Sequence, residues 1–131
     1  MATEIEVRFP ENLKVEAKIN DYVLTNDQPK KSGGDDSGPS PTELFTASIA
    51  TCSGYLALKF YRRRDLKTAG MRLKMRYEWD REQKRYSTMA IEPELPGRFP
   101  EKYRGAIIKA MNQCVAKQHI LQPPEFEITV T

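Results

Sequence analysis

The chain predicts an α+β domain with antiparallel strands in the order β-β-β-α-β-β-α-β, and three observations carry that prediction. Apolar and polar residues alternate strictly in several short runs. One long apolar stretch opens on three agreeing helix-start signals, and a later stretch places apolar residues at helical spacing. A length of 131 residues suits a single domain over 1–131.

The first strands come from Ile5, Val7 and Phe9, which alternate with Glu6 and Arg8. Alternation resumes after Pro10-Glu11-Asn12 at Leu13, Val15, Ala17 and Ile19, and Tyr22-Val23-Leu24 follows Asn20-Asp21. Such a pattern predicts an antiparallel meander with one face buried. Periodicity vanishes over residues 26–40. The glycines there follow Lys30 and Lys31 and do not precede them, so the segment reads as a mobile loop and no phosphate cradle is completed.

Ser40 can cap a helix, Pro41 suits its first position, and Glu43 completes a capping box. The helix this opens, about 41–63, carries Leu44, Phe45, Ile49, Cys52, Tyr55, Leu56 and Leu58 around its whole circumference. A helix without a polar face must be covered on nearly all sides. One sheet and one further helix are too little cover, so a second subunit is expected to bury it.

Met71, Leu73, Met75, Tyr77 and Trp79 alternate with charged residues. A polar turn at Asp80-Arg81-Glu82-Gln83 returns the chain through Tyr86, Met89 and Ile91 to near Pro93. A second helix is expected from Pro100, with Tyr103, Ile107, Ala110, Met111 and Cys114 on one stripe, closed by Pro123-Pro124. Phe126, Ile128 and Val130 predict a last strand.

Charged residues make up 30% of the chain, and 21 Lys and Arg stand against 18 Asp and Glu, a net charge of +3. The signs are interleaved, which argues against a nucleic-acid partner. Arg62-Arg63-Arg64 is the single basic run, and it falls at a helix end, where the dipole favours cations. The N-terminal residues lack the basic and apolar regions of a signal peptide, and no window predicts a membrane span. Two cysteines are few for a secreted domain, so a reducing, cytoplasmic setting is expected.

Cys52 and Cys114 are the candidate reactive groups. A thiol pair on packed helices can do two-electron chemistry, one sulfur attacking and the other resolving; the alternative is that both are buried small hydrophobes. Cys52 stands about three turns into its helix, beyond the reach of that helix's dipole, so a cation from a loop or a second subunit is expected to activate it. Ala50, Ser53 and Gly54 allow another element to approach closely. The lone His119 follows Cys114 by five residues, without the paired spacing of a zinc site.

The run Gly33-Gly34-Asp35-Asp36-Ser37-Gly38-Pro39-Ser40-Pro41-Thr42-Glu43-Leu44-Phe45, leading to Ala50-Thr51-Cys52, resembles the OsmC/Ohr superfamily of osmotically inducible and organic hydroperoxide resistance proteins, in its OsmC-like branch. The resemblance implies an OsmC-like fold and an intertwined homodimer with the central helices buried against each other. It also implies reduction of organic hydroperoxides, with Cys52 peroxidatic and Cys114 resolving. No metal or bound cofactor is implied; a dithiol such as a lipoyl group serves as reductant. Active members hold the thiolate with an arginine, oriented by a glutamate ten residues before the cysteine. Here that position is Thr42 and the acid is Glu43, for which helix capping is the favoured role. The loop 26–40 has no arginine, which leaves Lys31 or Arg8 as candidate thiolate partners. Val115 stands where a proline often follows the second cysteine. A non-enzymatic protein binding a small apolar ligand, and a redox sensor, are the alternative functions on the same fold.

Overall fold

The computed structural model describes residues 3–131, which fall into two compact units, one ending at Ala47 and the other running from Ser48 to Thr131. Three strands make the sheet of the first unit: β1 (Glu6–Arg8), β2 (Val15–Ile19) and β3 (Tyr22–Asn26), antiparallel in that order. Ile19 pairs with Tyr22 across the two-residue loop Asn20-Asp21, where Asn20 takes a left-handed φ of 53°. Asparagine tolerates that conformation better than most residues, which is why the hairpin turns there.

The strands form where alternation places them, but the expected burial of their apolar face does not occur within the chain. Val7 and Leu24 remain 47% and 44% exposed, and Phe9 and Tyr22 more so. Alternation sorts side chains to one face; covering that face needs a second layer, which the first unit does not contain.

Residues 27–39 correct the expectation of a mobile loop. Asp27 is 1% exposed. Its carboxylate accepts from the Ser37 hydroxyl at 2.6 Å, the Ser37 amide at 3.0 Å and the Gln28 amide at 2.7 Å. Those bonds, the Ser37 hydroxyl first, hold its pKa down at about 2. A 3-10 turn at Lys30–Ser32 ends at Gly33, whose φ of 94° suits glycine. A Cβ on Gly34 would lie 2.0 Å from the Gln28 carbonyl oxygen, so the wrap closes only around glycine. Apolar periodicity could not reveal this order, because a buried carboxylate supplies it.

Helix α1 (Pro41–Arg63) begins on the expected capping box. The Glu43 amide donates to Ser40 Oγ at 3.3 Å, and the Ser40 amide donates to Glu43 Oε1 at 3.1 Å. Ile49, Ser53, Ala57, Phe60 and Tyr61 are buried along it, while Phe45, Tyr55 and Leu58 stay exposed. The helix thus leaves part of its apolar surface uncovered.

In the second unit β4 (Arg72–Asp80) and β5 (Arg85–Glu94) form an antiparallel hairpin, with a register shift at Glu78/Trp79. Asp80 Oδ1 accepts the amides of Glu82 and Gln83 at 2.9 and 3.0 Å and shapes the turn. Ala57, Phe60, Tyr61, Phe99, Ile107 and Met111 form the buried cluster, with Leu73 and Ile91 of the hairpin against it. Tyr61 and Phe99 stack at 5.4 Å between ring centroids.

Two further expectations change. The second helix is two: after a 3-10 turn (Glu101–Tyr103), α2 (Arg104–Met111) ends, Asn112 and Gln113 turn, and α3 (Val115–Leu121) starts. Cys114 lies between them in extended conformation (φ −63°, ψ 119°) and caps α3. It keeps its place on the apolar stripe, so periodicity runs through the break unseen. The last strand does not form: residues 123–131 have no regular structure, and Phe126 and Ile128 are 85% and 98% exposed. An alternating stripe becomes a strand only when a sheet edge accepts its backbone bonds, and within the described residues none pairs with it.

Candidate functional site

Cys52, on α1, and Cys114, ahead of α3, meet inside the second unit. The two thiols perturb each other's acidity, and both are free, Cys52 half-buried and Cys114 fully buried. Ser53 and Ala57 are both buried on the same helix, whereas the close approach expected at Gly54 does not occur within the described residues: a Cβ there would meet nothing within 4 Å.

The two thiols are driven apart in acidity. The Cys114 thiol lowers the pKa of Cys52, and the backbone amides of Ala116 and Val115 lower it further, against the opposing effect of burial. Burial is the leading cause that raises Cys114, and the neighbouring Cys52 adds to it. Of the pair, Cys52 is therefore the more acidic thiol and Cys114 the less acidic one. The Cys114 sulfur in turn accepts the Lys117 amide at 3.3 Å, which fixes it as the cap of α3.

The groups that lower the Cys52 pKa are a thiol and two amides, where the sequence pointed to a cation. The amides become available because α3 starts at Val115: the first amides of a helix lack partners within it. Asn112, a weak helix former just before Cys114, is the one local sign of that start.

The other candidate residues have these surroundings. Glu43 is engaged in the capping box with Ser40. Arg8 pairs with Glu6 at 3.0 Å, and Lys31 sits exposed in the 3-10 turn. Arg8, Lys31 and Glu43 belong to the first unit, and the cysteines to the second. Nδ1 of His119 bonds the Val115 carbonyl at 2.8 Å within α3. Among the described residues no three His, Cys, Asp or Glu side chains gather to hold a metal ion, and no helix is long and apolar enough to cross a membrane.

Solved structures share this architecture at low sequence identity. An osmotic stress induced and detoxification response protein from Psychrobacter arcticus matches with a TM-score of 0.76 at 19% identity, over 90% of this chain and 87% of that one. An organic hydroperoxide resistance protein from Legionella pneumophila matches with a TM-score of 0.59 at 19% identity, over 92% and 89%. One from Vibrio cholerae, with captopril bound in one of its active sites, gives 0.61 at 15% identity, over 91% and 85%. Among curated proteins no sequence matches significantly. The family model described as OsmC-like protein matches residues 34–129, a span holding the loop from Gly34 onward, the capping box and both cysteines, and the chain therefore belongs to the OsmC-like family.

Proposed function

We propose that the chain is a two-cysteine peroxidase that reduces organic hydroperoxides. The observation that carries this reading is the placement of two free thiols in one unit, Cys114 buried, where each shifts the acidity of the other in opposite directions. The Cys52 thiolate attacks the distal peroxide oxygen, the O–O bond breaks, and the alcohol leaves after taking a proton from solvent. Cys52 is then a sulfenic acid. Cys114 attacks that sulfur; a disulfide forms, and water leaves with the Cys114 proton and the sulfenic hydroxyl. A dithiol such as a lipoyl group restores both thiols by exchange. The Legionella and Vibrio structures, both of organic hydroperoxide resistance proteins, favour this chemistry over simple burial of two thiols.

The working form is a homodimer in the cytoplasm. The uncovered apolar face of the first sheet, exposed Tyr55 and Leu58 on α1, and the exposed Phe126, Ile128 and Val130 support that assembly, since exposed apolar surface marks where a partner docks.

The test is intact mass after brief exposure of reduced protein to one equivalent of an alkyl hydroperoxide, with hydrogen peroxide in parallel. Wild type should lose two hydrogens within one chain and react faster with the organic peroxide. Cys114→Ser should stop at the sulfenic acid, and Cys52→Ser should stay unchanged. A wild type that remains reduced would sink the reading in favour of a ligand-binding protein.

A further inference from the structure

The basic run at the end of α1 is not used by the thiol chemistry, and in the second unit it borders a groove of about 250 Å³ between α1 and α2. Its floor is apolar: Leu56 and Phe60 from α1, Ala106 and Ala110 from α2. Its rim carries Lys59, Arg63, Arg64 and Lys109, and no acidic residue lines it. Asp65, next to Arg64 in the sequence, does not line it, and Glu101 pairs with Arg104 at 2.7 Å. Lys59, Arg63 and Lys109 have no ion-pair partner among the described residues.

Helix geometry explains why these charges converge. Lys59 and Arg63 are four residues apart and share one face of α1, an arrangement in which like charges repel unless something answers them. Arg64 is held by another route: its guanidinium lies 3.6 Å over the Phe60 ring and 5.1 Å from the Tyr103 centroid. That stacking keeps a cation at the groove without a carboxylate partner.

We propose that this groove binds a small amphiphilic carboxylate. Its aliphatic or aromatic body would lie on Leu56, Phe60 and Ala110, and its head would meet the Arg63 fork between the point charges of Lys59 and Lys109. The volume suits a body of several carbons and excludes a long chain folded on itself. From Leu56 to Arg63 the helix rises about 10 Å, the length of such a molecule laid along it. The site is separate from the peroxide chemistry proposed for Cys52, although Gln113 at its edge adjoins Cys114.

Octanoate is the probe, since it carries no peroxide and leaves the thiols unchanged. Amide chemical shifts followed during titration of the reduced protein should move at Leu56–Arg64 and Ala106–Gln113. Octanol and acetate, which lack the head and the body respectively, should each bind at least tenfold more weakly. Arg63→Glu and Lys109→Glu alter exposed side chains and should each weaken octanoate at least tenfold, while Lys109→Arg retains binding. Raising salt from about 20 to about 200 mM should weaken binding severalfold. Equal binding of octanol, shifts confined to other parts of the chain, or unchanged affinity in both reversal variants would overturn the proposal. A failure here leaves the peroxidase reading standing, and a failed peroxide reaction leaves this site standing.

Discussion

The two units are stabilised inside by opposite kinds of residue. Up to Ala47 the buried side chains are polar: Asn26, Asp27, Ser40 and Thr46. From Ser48 onward they are nearly all apolar: Ile49, Ala57, Phe60, Tyr61, Phe99, Ile107, Met111 and Cys114, with Ser53 the exception. Directional bonds organise the first unit around one carboxylate and one helix cap. Nondirectional packing organises the second, and within that packing the two thiols are held. The difference teaches where each unit is vulnerable. A hydrogen-bonded interior responds to pH and to loss of a single donor, whereas an apolar one responds to lost volume.

The largest effect is expected from Ile107→Ala, which empties a fully buried position in the second unit. Chemical denaturation should register about 2–5 kcal/mol of destabilisation, from lost transfer energy plus the cavity. A loss below 1 kcal/mol would mean that the apolar cluster is not what holds this unit.

Ser40→Ala comes next. It removes the hydroxyl that accepts the Glu43 amide, and the same measurement should show a loss of about 0.5–2 kcal/mol. Combined with Ile107→Ala it should add almost independently, if polar and apolar interiors act apart.

Acid should reach the first unit selectively. Asp27 has a folded pKa of about 2 against an ordinary value of 3.8, so its contribution is present above about pH 4 and is lost as pH falls towards 2. Amide exchange at Gln28 and Ser37, both bonded to that carboxylate, should accelerate over this window relative to their intrinsic rates. Amides of Ala57 and Ile107 should not. Parallel acceleration in both sets would break the contrast between the units.

The smallest change in stability, within about 0.5 kcal/mol, is expected for Val115→Pro, because the first position of a helix tolerates proline. Its consequence for chemistry is larger. The substitution deletes one of the two amides that lower the Cys52 pKa, so the pH midpoint of Cys52 alkylation should rise. An unmoved midpoint would assign the shift to Cys114 and Ala116 alone.

Much of this was legible in the residues themselves. The start of α1 followed from Ser40, Pro41 and Glu43, and the hairpin from the alternation around Tyr77 and Met89, because caps and strand periodicity are set by near neighbours in the chain. The family was legible too, through the resemblance carried by residues 33–52. The source of Cys52 acidity was not. It comes from Cys114 and from amides 63 and 64 positions along the chain, released by a helix start that leaves the apolar stripe unbroken.

By itself the sequence determined the local elements, since capping, turn formation and alternation depend on residues a few positions apart. Only the tertiary structure decided which thiol is the more acidic, that Asp27 orders its loop, and that Phe126, Ile128 and Val130 do not pair among the described residues. Each of those depends on groups distant in sequence meeting at bonding distance, or failing to meet, and no local pattern encodes such an encounter.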